Sequence, residues 1–177
     1  LLITLFASAA VSASAASEQW LDYKGKKGPG KGKKVVLISG DEEYRSEEAM
    51  PALADILSRH HGFDCRVVFA IDPKSGIVDP NNRTNIPGLE ALADADLMFI
   101  ATRFRDLPEE QMAHIDAYLK RGGPVIGMRT ATHAFNIAGN KKYAHYSNGY
   151  GGPKKEWQGG FGKVVLGDFW KNHHGGH

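Results

Sequence analysis

The chain carries one cysteine, Cys65, in 177 residues. A single thiol excludes an internal disulfide and any zinc cluster built on cysteine within the chain. Charge is also nearly balanced, with 22 Lys and Arg against 20 Asp and Glu for a net +2. Several of the lysines fall in one Gly-rich stretch near the N-terminus, so the remainder is close to neutral. Nucleic acid is therefore not an expected partner, because its footprint needs basic residues gathered on a folded face. Long apolar runs are missing too. The N-terminal LLITLFASAAVSASAAS is shorter than the roughly 20 apolar residues that span a bilayer, and it combines small residues with A-x-A spacing at Ala13 and Ala15. That pattern predicts a secretory signal peptide over residues 1–16, a periplasmic or extracellular location, and no stable membrane span.

What is present suits one globular domain, with 42% hydrophobic and 24% charged residues. Residues 17–33 contain KGKKGPGKGKK, whose Lys, Gly and Pro content predicts a flexible, solvated linker. The stretch Gly25 to Lys31 begins like a phosphate-binding loop, but Gly32 stands where Ser or Thr is required and a strand follows where one should precede. No nucleotide cofactor is expected.

From residue 34 to 177 short apolar runs recur: KVVLIS, CRVVFA, DLMFIA, PVIGM and KVVLG. Runs of this kind suit strands buried on both faces of a parallel sheet. Helical patterns lie between them. One covers about Glu48 to His60, with Leu53, Ile56 and Leu57 as its apolar face. Another follows Asp106, which forms a capping-box pattern with Glu109 and precedes the stripe Met112, Ile115, Leu119. Alternation of strand and helix predicts a doubly wound α/β sandwich.

In such sheets ligands bind beyond the carboxyl ends of the strands. Four loops are placed there by the pattern. The first carries Asp41, Glu42, Glu43, Tyr44 and Arg45; the second Arg103 and Arg105; the third Arg129, Thr130, Thr132 and His133; the last Trp170, His173, His174 and His177. Carboxylates, guanidiniums, hydroxyls, rings and imidazoles together suit a polyhydroxylated or anionic small molecule. His173, His174 and His177 could also converge on a divalent metal, since glycines separate them. The third loop is distinctive. PVIGMRTATHAF reads as a strand running into a sharp turn and a helix, yet Arg129 stands at the turn, where many α/β enzymes place a nucleophile.

The stretches LISGDEEYRSEEAMPALADIL, NIPGLEALADADLMFIATRFRDLPEEQM, GGPVIGMRTATHAF and GGFGKVVLGDFWKNHHG resemble the trehalose-utilisation (ThuA-like) domain proteins, particularly secreted ones of planctomycete type. The likeness runs from about Lys33 to the end. It implies a flavodoxin-like fold of the class I glutamine-amidotransferase-like group and a link to carbohydrate metabolism, and it predicts a domain incomplete at its C-terminus. In glutaminases of that group the turn carries a catalytic Cys; Arg129 matches it here. A guanidinium stays protonated and cannot act as a nucleophile, so glutaminase activity is not expected. The leading expectation is a saccharide-binding or saccharide-processing protein. Glu42 or Glu43 and His173 or His174 would supply acid/base catalysis, while Asp41, Tyr44, Arg45, Arg103, Arg129, Thr130, Thr132, His133 and Trp170 hold the substrate. A non-catalytic binding or assembly module and a metal-dependent hydrolase using the terminal histidines both stay open.

Overall fold

Four of the five apolar runs form parallel strands of one sheet, in a computed structural model that describes residues 19–172. The predicted leader and the predicted catalytic or metal-ligating His173, His174 and His177 lie outside the described residues. An edge strand comes first, β1 (Trp20–Tyr23), followed by β2 (Lys34–Gly40), β3 (Asp64–Phe69), β4 (Leu97–Thr102) and β5 (Val125–Gly127). Their order in the sheet is β1-β3-β2-β4-β5, with β1 antiparallel to β3 and every other pairing parallel. The protein is thus α/β with a mostly parallel five-stranded sheet, an arrangement compatible with a flavodoxin-like fold.

Burial on both faces explains the apolar runs. On β2, Val35 and Leu37 face one core with Met50 and Ala54, which belong to helix α1 (Ser46–His61). Val36 and Ile38 face the other core, with Met112, Ile115 and Tyr118 of helix α2 (Glu109–Lys120). Period-two side chains are thus buried whichever way they point.

Several local expectations are corrected. Residues 20–33 are not a free linker. Trp20 to Tyr23 pair with Val68 to Cys65, the Gly25 N–H donates to Asp64 Oδ1 at 3.0 Å, and the Gly30 N–H donates to the His61 carbonyl at 2.8 Å. Glycine makes this docking possible: a Cβ on Gly25 would lie 2.1 Å from the Gly62 oxygen. The composition that suggests a solvated arm in fact permits close backbone approach.

The capping box at α2 does not form. Pro108 takes the cap position without a side-chain bond. Asp106 instead accepts from Lys141 Nζ at 2.7 Å, and Glu109 accepts from the Lys142 N–H at 3.2 Å. On α1 the buried residues are Ser46, Met50, Ala54 and Ser58, spaced by four, while Ile56 is exposed.

The run KVVLG is not a strand; Gly162–Leu166 forms a wide helical turn. Phe161 is buried edge-on against Phe135, and the Leu166 side chain packs where a Cβ on Gly127 of β5 would lie, over the face of that strand. β5 itself is short and partly exposed, Ile126 included, and is not buried on both faces as its sequence suggests.

Candidate functional site

After β2 the chain crosses by α1 to β3 on one side, then returns to β4 on the other. Sheet order therefore reverses at the β2–β4 boundary, and a crevice opens beyond the carboxyl ends of the strands at such a point. The segments 41–45, 103–108 and 129–133 all lie at this edge, and Trp170 closes it from the C-terminal segment. Glu43, Tyr44, Arg103, Arg129, Thr130, Thr132, His133 and Trp170 line one cleft of about 250 Å³ there. These eight are all among the residues expected from the sequence.

Backbone strain marks the same edge. Among the described residues, the non-glycine positions with positive φ are Arg45 at 53°, Phe104 at 49° and Arg129 at 52°. They fall one each in the loops after β2, β4 and β5. Left-handed backbone costs an L-residue about 1–2 kcal/mol, and such strain gathers at functional sites.

Arg129 is exposed, and its guanidinium carbon sits 3.8 Å from the centre of the Tyr44 ring. Among the described residues it has no carboxylate or other hydrogen-bond acceptor. The ring presents one face to the cation, which fixes the plane of the fork while leaving its N–H groups along the rim.

Thr130, one residue on, is buried and turned inward. Its hydroxyl donates to Asp41 Oδ2 at 2.5 Å and lies 3.1 Å from the Thr102 carbonyl. Asp41 is 1% exposed and also accepts the Glu43 N–H at 2.9 Å. This pair ties the first loop to the third. Asp41 is therefore a positioning group, correcting its expected place in contact with substrate. Thr130, although it lines the cleft, has its hydroxyl committed to the same link.

Glu42 is corrected more sharply. Its Oε1 accepts from Arg103 Nη1 at 2.6 Å and from Arg83 Nη2 at 3.4 Å, and its Oε2 accepts from Arg105 Nη2 at 2.5 Å. Arg105 is wholly buried and donates as well to the carbonyls of Arg103 (2.7 Å), Pro80 (2.9 Å) and Asn82 (2.7 Å). A carboxylate held by three guanidiniums is a poor proton carrier, so Glu42 organises the loops and does not serve as the general acid or base. Burial alone would raise its carboxyl; its own backbone N–H, Arg103 and Arg105 outweigh that and hold it below the ordinary 4.5.

That shift has a direction in stability. A folded value below the unfolded one gives stabilisation that is complete above about 4.5 and lost as pH falls through the folded value. Stability should decline below pH 4.5, and Glu42→Gln should flatten that decline in urea titrations run between neutral and acid pH. An unchanged acid limb would show that Glu42 is not a source of it.

Glu43 is less constrained. Its Oε2 lies 3.0 Å from Arg103 Nε, near enough for an ion pair but misaligned for a hydrogen bond, and its side chain is 38% exposed. Arg45 leaves the site altogether: it occupies the N-cap position of α1 and pairs with Glu48 on the exposed helix surface. It is no substrate-binding residue in this arrangement.

Two of the lining rings, His133 and Trp170, pack with Phe104. His133, 8% exposed, lies 4.9 Å from Phe104 and 5.2 Å from Trp170 between ring centres, and Phe104 meets Trp170 edge-on at 5.8 Å. Asn148 Nδ2 donates to the Trp170 carbonyl at 3.0 Å, which anchors that residue. Thr132 Oγ1 is 3.3 Å from His133 Nδ1. Sequence reasoning omits Phe104 from the site. It also leaves Arg83 out and gives Arg105 no role, because two of the three carbonyls that hold Arg105 come from a loop more than twenty residues away.

Cys65 offers no hidden nucleophile. It lies near the amino end of β3, away from the cleft, and burial pushes its thiol up to about 12. Among the described residues no group of three His, Cys, Asp or Glu side chains is placed to hold a metal ion, and no helix is long and apolar enough to cross a membrane. The chain matches no family of known proteins, no curated protein and no solved structure.

Proposed function

We propose that the protein is an exported ThuA-like domain protein that binds a sugar or sugar derivative in the cleft at the carboxyl edge of its sheet, without glutaminase activity. The observation that carries this reading is Arg129: a guanidinium on a strained turn, stacked on Tyr44 and without an acceptor among the described residues, in a cleft also lined by Trp170 and His133. Rings can cover the face of a sugar while forked donors fix its oxygens. A mostly parallel sheet compatible with a flavodoxin-like fold and the residues quoted above support the family reading, and an arginine at the turn argues against thioester chemistry.

Binding is better supported than turnover, since Glu42 is occupied by arginines. Glu43 is the lining carboxylate left for proton transfer. The test is a thermal-shift screen of the full chain against neutral and acidic saccharides, followed by product analysis on each hit. A ligand at 100 times its Kd should stabilise the fold by about 2.7 kcal/mol. Stabilisation without product identifies a binding module. If product forms, Glu43→Gln should abolish turnover and spare binding. No stabilisation by any saccharide refutes the reading.

A further inference from the structure

We infer that the ligand of this cleft carries an oxyanion, so that acidic sugars are preferred over their neutral parents. The inference rests on the sugar-binding reading and adds the chemical class of the ligand.

Charge around the cleft is uneven. Arg83, Arg103, Arg105 and Arg129 bring four positive charges to Asp41, Glu42 and Glu43. Glu42 is shared among three of the arginines, and Asp41 is turned into the fold toward Thr130. Among the described residues, Arg129 is the cleft arginine with no carboxylate partner. Arg103 is already paired with Glu42 at 2.6 Å and with Glu43 at 3.0 Å. Arg129 thus lines a cleft whose half-exposed carboxylate, Glu43, is already paired with Arg103.

The backbone sharpens the argument. A glycine would hold the turn at φ 52° without steric cost, yet the position carries a long cationic side chain. Tyr44 then restrains that side chain in one plane. A planar, pre-oriented fork matches the two oxygens of a carboxylate or phosphate better than single hydroxyls, and being held in advance reduces what is lost on binding.

Calorimetric titration of the full chain with matched sugars tests this. The panel is glucose, glucuronate and glucose 6-phosphate, with galactose and galacturonate as a second pair. At least one acidic member should bind about tenfold or more tightly than its neutral parent, as expected for a charged hydrogen bond. The advantage should shrink when salt rises from about 0.02 M to about 0.5 M. Glucuronate against glucose 6-phosphate distinguishes carboxylate from phosphate. Arg129→Gln should weaken the acidic sugar at least about tenfold more than its neutral parent, which removes the preference, and leave the thermal midpoint of the free protein unchanged. Tyr44→Leu, which releases the fork, should reduce the preference in part. Equal affinity for acidic and neutral partners overturns this inference and leaves the sugar site standing, as does a preference that survives Arg129→Gln. Absence of binding by every sugar overturns both.

Discussion

Arg105→Ala is expected to lower the stability of the fold by about 3–5 kcal/mol, the range for removing one partner of a buried ion pair. The Arg105 side chain has no solvent exposure, and its guanidinium donates to Glu42 and to three backbone carbonyls. Alanine would leave the half-enclosed Glu42 carboxylate short of its closest cation and the Pro80 and Asn82 carbonyls without a donor. It would also open a cavity the size of the lost side chain. Arg105→Lys keeps the charge but reaches fewer of these acceptors, and should recover only part of the loss. Urea unfolding measures both, with a lower midpoint at unchanged slope marking a true stability change. A loss below about 1 kcal/mol would mean that Glu42 can turn to water at little cost, and the clamp would not be structural. The functional consequence follows from connectivity. Glu42 also fixes Arg103, so a protein that survives Arg105→Ala should bind its ligand less tightly, although Arg105 does not line the cleft.

Asp41→Ala is expected to cost about 2–4 kcal/mol, because the Thr130 hydroxyl and the Glu43 N–H would each lose a buried acceptor. Asp41→Asn is the informative companion. Its amide oxygen can still accept the Glu43 N–H, and its NH₂ can donate to Thr130 Oγ1, which then donates to the Thr102 carbonyl 3.1 Å away. Asparagine should therefore cost less than about 1 kcal/mol, in keeping with a neutral network whose members stay satisfied. Chemical denaturation of the two variants separates the roles. If Asp41→Asn keeps its stability but loses saccharide binding, Asp41 touches the ligand and its assignment as a positioning group fails.

Periodicity carried much of the architecture. Continuous Val- and Ile-rich runs at 34–40, 64–69 and 97–102 could be buried on both faces only in a covered parallel sheet, and they are. The edges were less legible. β1 hid in a stretch dominated by Lys and Gly because its stability comes from pairing with β3, a partner more than forty residues away. KVVLG has the composition of a strand, but composition does not supply a ladder partner, and the segment winds over β5 instead. Asp106 and Glu109 had cap spacing, yet lysine and backbone donors from residues 138–142 outcompeted the helix terminus for them.

The site divides along the same line. Residue types and their place after apolar runs were enough to bring Glu43, Tyr44, Arg103, Arg129, Thr130, Thr132 and His133 to one edge, because strand ends in a parallel sheet converge by topology, whereas Trp170 reaches the same cleft from a helical turn that its sequence suggests is a strand. The absence of a nucleophile at the turn was likewise a fact of sequence. Which carboxylate is free was not. Glu42 and Glu43 are neighbours of identical chemistry, and only the tertiary structure gives one of them three arginines and leaves the other half-exposed. The cause is alternation along the loop: consecutive side chains point different ways, and what each meets is set by loops far away in the chain. The same holds at residues 129 and 130, where one side chain lies on Tyr44 at the rim and the next is buried against Asp41.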